Sequence, residues 1–205
     1  MRLGTAARAA GLALGVLASG LLAADALAQS ATPVPATPVP EPPGYRLDDY
    51  RAPVPATVTG GRVLTTDALR DLLARQGDRV ILVDVVSAPR RPAGMAPDSP
   101  WMPLPHTDLP GSVWLPDVGR GALNPLLEKW FQQQLATLSG GDKSRPLVFY
   151  CLPECWMSWN ATKRAASYGY TNVAWYPDGV DGWRVAGLPL ATATALTPPE
   201  APGVP

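Results

Sequence analysis

The stretch Leu147-Val148-Phe149-Tyr150-Cys151-Leu152-Pro153-Glu154-Cys155-Trp156-Met157-Ser158 decides how this chain is read. Its first four residues are apolar or aromatic without a polar interruption. That pattern predicts a strand over 147–150 covered on both faces, as strands of a parallel sheet are. A tight loop follows, and a helix is predicted from about Met157 to Tyr168. Cys151 therefore stands just beyond the carboxyl end of a buried strand, where open parallel sheets collect their reactive groups. Loop amides curling inward and the positive end of the next helix both favour thiolate over thiol, so Cys151 reads as a nucleophile with a lowered pKa. The plainer alternative is a buried, inert cysteine. Cys155, four residues on in a chain with only 2 cysteines, weighs against that alternative.

Working outward, Val80-Ile81-Leu82-Val83-Asp84-Val85-Val86 predicts a second doubly covered strand. Thr65-Thr66-Asp67 predicts a helix start before it, with Leu69, Leu72 and Leu73 on one face and Gly77 as the stop. Residues 87–110 are rich in Pro, Gly and Asp and predict a long irregular excursion, a type of loop that is uncommon and often functional. It ends in a short strand over 112–115. A helix is predicted over 124–138 with Leu127, Trp130, Phe131, Leu135 and Leu138 as its buried stripe. A strand over 173–176, the turn Pro177-Asp178-Gly179 and a short helix carrying Trp183 complete the series. Such alternation predicts an α/β fold, a three-layer open parallel sheet flanked by helices.

The ends differ in composition from this core. Arg2 and Arg8 precede an apolar run from Ala9 to Ala24, and Ala26-Leu27-Ala28 supplies a small-x-small pattern, so 1–28 reads as a secretory signal peptide cleaved before Gln29. An uncleaved anchor is the alternative, although the run is shorter than the ~20 residues of a spanning helix. Residues 29–60 form a Pro-rich linker in which Ala-Thr-Pro-Val-Pro occurs twice, at 31–35 and 36–40, and which predicts either a stiff tether or an irregular wrap. A domain over 61–196 and a Pro-rich tail over 197–205 complete the organisation. Basic and acidic residues balance at 17 each, with no basic run, so no nucleic-acid partner is expected. An exported chain, periplasmic in this reading, meets oxidising conditions, and the redox state of the two cysteines becomes part of the question.

Tyr150-Cys151 and the loop, then Gly169-Tyr170-Thr171-Asn172-Val173, Asp178-Gly179-Val180, Trp183 and Ala186-Gly187-Leu188-Pro189, resemble the second half of a rhodanese domain. Asp84-Val85 and Leu109-Pro110-Gly111-Ser112-Val113 resemble its first half, and together the similarity spans roughly Arg62 to Leu190. Within that superfamily, Cys151 to Ala161 resembles the PQQ-dependent catabolism-associated CXXCW-motif proteins, with a Cys-x-x-x-Cys-Trp spacing one residue longer than the name. That resemblance implies export and association with a quinoprotein dehydrogenase system that oxidises alcohols. No cofactor is expected on this chain itself, which shows no quinone site.

Common sulfurtransferase loops run Cys, four residues, Arg. Here Glu154 and Trp156 hold the corresponding positions or, with a loop one residue longer, Met157 takes the Arg place and Ser158 the serine that often follows. Either alignment leaves the loop Cys151, Leu152, Pro153, Glu154, Cys155, Trp156, Met157, Ser158 without a cation. A carboxylate within about 5 Å of Cys151 behind low-dielectric walls would cost ~3 kcal/mol, so the loop predicts weak turnover of thiosulfate.

Cys155 opens other routes. Helical residues four apart have Cβ atoms about 5–6 Å apart, slightly too far for an unstrained disulfide, while a loop conformation could close the gap. Thiol–disulfide exchange, a persulfide on Cys151 resolved by Cys155, and a static disulfide all remain open. A dithiol holding Cu(I) is a further alternative, with His106, Met102 and Met157 as possible extra ligands. Trp156 and Trp159 could shield the loop or offer an apolar face to a partner, whereas Trp175 and Trp183 read as core. Asp84 either accepts hydrogen bonds from the active loop or anchors backbone. The leading expectation is cysteine-based sulfur transfer or disulfide exchange with a periplasmic thiol or sulfur-donor protein; the alternative is a non-enzymatic assembly partner of a quinoprotein dehydrogenase.

Overall fold

Three runs of four consecutive buried residues form the centre of the molecule, each as an uninterrupted strand: β2 (Ile81–Asp84), β5 (Leu147–Tyr150) and β6 (Val173–Tyr176). The computed structural model describes residues 38–96 and 98–198; the predicted signal peptide, the start of the Pro-rich segment and the end of the tail lie outside the described residues. Two short edge strands, β1 (Arg62–Val63) and β4 (Val113–Trp114), complete a five-stranded sheet in the order β1-β6-β5-β2-β4, parallel at every pairing. In register, Leu147 of β5 stands between Ile81 and Val173.

Because side chains alternate across a strand, each central strand feeds two cores. Val83 and Phe149 face α2 (Pro125–Ser139) and α3 (Trp156–Ser167), packing with Phe131, Leu135, Ala161 and Ala165. Leu82, Val148 and Tyr150 face α1 (Thr66–Gln76) and α4 (Gly179–Val185), packing with Leu69, Leu72, Val180 and Trp183. The predicted hydroxyl cap forms, with Thr65 Oγ1 accepting from Ala68 N at 3.2 Å, and Asn124 caps α2 as well, its Oδ1 accepting from Leu127 N at 2.8 Å. The three-layer α/β architecture expected from the sequence is therefore present.

The predicted strand over 80–86 narrows to 81–84, and that over 112–115 to 113–114. Three strands were not expected: β1, β3 (Thr107–Asp108) and β7 (Ala191–Thr192), the last two forming an antiparallel pair. Two residues are too few to show a period of two, so such strands leave no pattern to read.

The Pro-rich segment, where described, forms a wrap over α3. Asn160, fully buried, accepts from Arg46 N and donates to Arg46 O and Gly119 O, all at 2.9 Å. Lys163 Nζ donates to the carbonyls of Pro42, Pro43 and Gly44. Prolines lack donors but keep their carbonyls, so donors supplied by α3 are what this segment needs.

Candidate active site

Cys151 follows β5 directly and Cys155 caps the start of α3. Cys155 adopts extended backbone angles, φ −114° and ψ 108°, and this departure from helical geometry brings the two sulfurs together as a disulfide with Cα atoms 6.4 Å apart. The turn between them uses Glu154 in a left-handed conformation, φ 52°, unusual for a residue with a side chain. From the far side, α4 meets the loop: Val180 N donates to Cys151 O at 3.0 Å, and a Cβ on Gly179 would stand 2.3 Å from that oxygen. Gly179, with φ 57°, is thus required both by conformation and by close approach.

The two sulfurs have different surroundings. Cys151 is fully buried; its Sγ lies 3.1 Å from Ser158 Oγ and 3.4 Å from the carbonyl oxygen of Cys155. Ser158 Oγ also accepts from the indole Nε1 of Trp175 at 2.9 Å and lies 3.1 Å from Cys155 O. The expected cradle of loop amides around Cys151 is not formed in this disulfide state: among the described residues, no backbone N–H donates to its sulfur. One of those amides, Trp156 N, donates instead to Tyr50 O of the wrap at 2.9 Å.

Cys155 faces a cavity of about 260 Å³ lined by Tyr50, Arg51, Val86, Ser87, Arg120, Leu152 and Met157, with walls almost wholly apolar. The Arg120 guanidinium is turned to the buried carboxylate of Asp117 at 2.9 Å, which also accepts from Ser87 Oγ at 2.7 Å and from Arg90 at 2.9 Å. Glu154 is exposed. This overturns the premise that a carboxylate behind low-dielectric walls guards Cys151, because water screens an exposed charge. An apolar cavity still disfavours a doubly charged anion such as thiosulfate, for a different reason: desolvation.

The rhodanese-like domain family matches residues 65–186. The chain belongs to that family. Solved structures similar to it include a human single-domain sulfurtransferase, 24% identical, covering 61% of this chain and 96% of that one with a TM-score of 0.38. A polysulfide-sulfur transferase homodimer from Wolinella succinogenes is 20% identical, with coverage of 64% and 79% and a TM-score of 0.39. An uncharacterised protein from Saccharomyces cerevisiae is 24% identical, with coverage of 62% and 92% and a TM-score of 0.38. No curated protein sequence matches the chain.

Within the rhodanese-like domain, the remaining predicted residues separate into two groups. Leu152 and Met157 join Cys155 at the cavity, and Pro153 lies beside them in the turn. Trp156 and Trp159 are buried at 2% and 0% exposure against Tyr50, Ala52, Val54 and Val58, so they offer no apolar face to a partner. Their indoles donate to Pro53 O and Thr57 O. Trp175 and Trp183 are core, as expected.

Asp84 does not reach the cysteine loop. Its oxygens accept from Val86 N at 2.9 Å and meet His106 Nε2 at 2.6 Å, which makes it the anchor of the excursion over 87–106. His106 packs on Trp114 with ring centroids 4.1 Å apart. Engaged in this way, His106 is not presented to the cysteines, and Met102 is 90% exposed, so of the three possible extra ligands for Cu(I) Met157 is the one that lies beside Cys155. Nearby Asp108 is buried, and desolvation first, then the Asp84 charge, raise its pKa to about 6 against an opposing pull from His106.

Sequence reasoning missed Tyr50, Arg51, Ser87, Asp117, Arg120 and Asn160. Arg164 belongs with them: it is buried, donates to Val118 O and Gly121 O, and so fixes the loop that carries Arg120. An Asn and an Arg on the apolar face of a predicted helix were the available signal. Buried polar groups need partners, and both find them in backbone carbonyls of the covering segments.

Proposed function

We propose that this rhodanese-like protein carries out thiol–disulfide exchange or sulfur transfer through Cys151 and Cys155, in the periplasm and in the service of a quinoprotein system that oxidises alcohols. The observation that carries the chemical part is the pairing of the two cysteines at the carboxyl end of β5, with one sulfur lining a cavity. A bond between sulfurs that opens to small thiols accepts two electrons, and a thiolate released beside a hydroxyl can take up a sulfane sulfur as a persulfide. The setting is supported by the resemblance of Cys151 to Ala161 to the CXXCW-motif proteins and by the secretory pattern of 1–28. Partners in this reading are a periplasmic thiol or sulfur-donor protein and the dehydrogenase system itself. Among the described residues, no helix is long and apolar enough to cross a membrane.

The buried Trp156 and Trp159 remove the surface on which a purely scaffolding role was built. The reading is tested by incubating the reduced protein with polysulfide and measuring mass. One or two added sulfur atoms on wild type, and none on the double variant Cys151→Ser/Cys155→Ser, are expected; equal labelling of both proteins contradicts it. In a host that grows on alcohols, the same double variant is expected to lose support of alcohol oxidation. Full support by that variant would favour scaffolding.

A further inference from the structure

We infer that the disulfide is opened from the Cys155 side by a small uncharged thiol, and that Cys151 is the leaving thiolate, received by Ser158. This assignment rests on the exchange reading above and reverses the roles that chain position suggests, in which Cys151 attacks first. Three observations carry it. Cys155 lines the 260 Å³ cavity and Cys151 does not. Cys151 is wholly buried, whereas Cys155 keeps 6% exposure. Ser158 Oγ, 3.1 Å from Cys151 Sγ, already accepts from Trp175 Nε1, which leaves its own proton free to be donated.

Exchange requires an incoming thiolate to reach one sulfur while the other departs, and the better leaving sulfur is the one whose anion is better stabilised. The thiolate R–S⁻ attacks Cys155 Sγ, an R–S–Sγ bond forms, the Cys151–Cys155 bond breaks, and its electron pair stays on Cys151 Sγ. A second R–S⁻ attacks the sulfur of the bound R group, releasing R–S–S–R and leaving Cys155 as thiolate. Two thiols are thereby oxidised and one protein disulfide is reduced.

The Ser158 hydroxyl has one proton and two acceptors within reach, the Cys155 carbonyl at 3.1 Å and Cys151 Sγ at 3.1 Å. A disulfide sulfur is a weak acceptor, so the carbonyl holds the proton while the bond is closed. A thiolate is a much stronger acceptor, since charge-assisted hydrogen bonds are roughly twice as strong as neutral ones, and the hydroxyl turns to it when the bond opens. Trp175, donating to the serine oxygen, fixes the pivot about which it turns. Ser158 is a positioning residue for the leaving sulfur, and the apolar cavity sets the class of the entering one, because a charged tail would be desolvated there without a partner.

Glu154 lies between the two cysteines, so cleavage after glutamate separates them for peptide mapping. Oxidised wild-type protein is mixed with 2-mercaptoethanol, quenched with iodoacetamide and cleaved in this way. The mercaptoethanol adduct is expected on Cys155 and the alkyl label on Cys151, with 2-mercaptoethanesulfonate reacting at least tenfold more slowly after correction for thiol pKa. In the Cys155→Ala background, Ser158→Ala is expected to move the Cys151 thiolate titration upward, and Ser158→Thr to restore it. The adduct on Cys151, or equal rates for the two thiols, overturns this assignment while leaving exchange chemistry standing. A Cys151 titration unmoved by Ser158→Ala overturns the serine's part. A disulfide that neither thiol opens in the folded protein overturns the exchange reading itself.

Discussion

The cysteine loop and the excursion over 87–106 leave the carboxyl ends of two neighbouring strands, β5 and β2, yet they are held in place by different forces. Around the cysteine loop the contacts are mostly neutral, namely Trp156 N to Tyr50 O, two indoles to carbonyls of the wrap, and Asn160 joined to Arg46 and Gly119 backbone, with Lys163 on wrap carbonyls and the Arg46 guanidinium over Trp156 as charged exceptions. The excursion is held mainly through two buried carboxylates: Asp84 meets His106 and Asp117 pairs with Arg90, while Arg91 donates to the carbonyls of Ala96 and Ser99. Buried neutral hydrogen bonds respond little to salt or pH, while ion pairs near the surface respond to both. The difference places the Cys151–Cys155 disulfide in the less responsive part of the molecule and the greater environmental sensitivity in its neighbour.

The comparison is broken most severely by a change in the neutral clamp. Gly179→Ala places a Cβ 2.3 Å from Cys151 O at a positive φ, so it should destabilise the fold by about 2–4 kcal/mol in chemical denaturation and displace the loop. Asn160→Ala removes three hydrogen bonds and strands the Gly119 and Arg46 backbone groups; a loss of about 2–3 kcal/mol is expected, with faster alkylation of Cys155 in the reduced protein. Unchanged alkylation after Asn160→Ala would mean that the wrap does not control access.

On the charged side, the sign follows from Asp108. Its folded pKa of about 6 lies above that of an unfolded aspartate, so its contribution favours the folded state fully below about pH 4 and is lost as pH rises through 6. Asp108→Asn should therefore stabilise the protein by about 1–2 kcal/mol at pH 8, change little at pH 4, and flatten the melting-temperature profile between them. The smallest effect belongs to Glu154. Since it is exposed, Glu154→Gln should leave the rate of any thiosulfate turnover within about twofold of wild type. A larger gain would bring the carboxylate back into the site.

These regions also differ in how far the sequence disclosed them. The strands over 147–150 and 173–176 were legible to the residue, because four consecutive apolar side chains have few other uses. The position of Cys151 followed from that strand. Whether Cys155 would pair with it was left open, since the answer depends on the backbone angles of Glu154 and Cys155, which neither residue type announces. Trp175 and Ser158 lie 17 residues apart on a strand and a helix, and only the packing of α3 on β6 brings them together. Proline composition left a stiff tether and an irregular wrap open for 29–60 and did not say where the segment would lie. The donors that decide it, on Trp156, Trp159, Asn160 and Lys163, belong to a helix about a hundred residues further on.

The central claim is that the Cys151–Cys155 bond is a working redox bond inside a folded rhodanese-like domain. Equilibrating the native protein across graded ratios of reduced to oxidised dithiothreitol, trapping with a thiol-specific mass label, and following tryptophan fluorescence in parallel tests it directly. Reversible conversion between zero and two labelled cysteines, with fluorescence that keeps its folded character throughout, is the predicted result. A bond that takes up label only when the fluorescence reports unfolding would make the disulfide a structural staple and contradict the account.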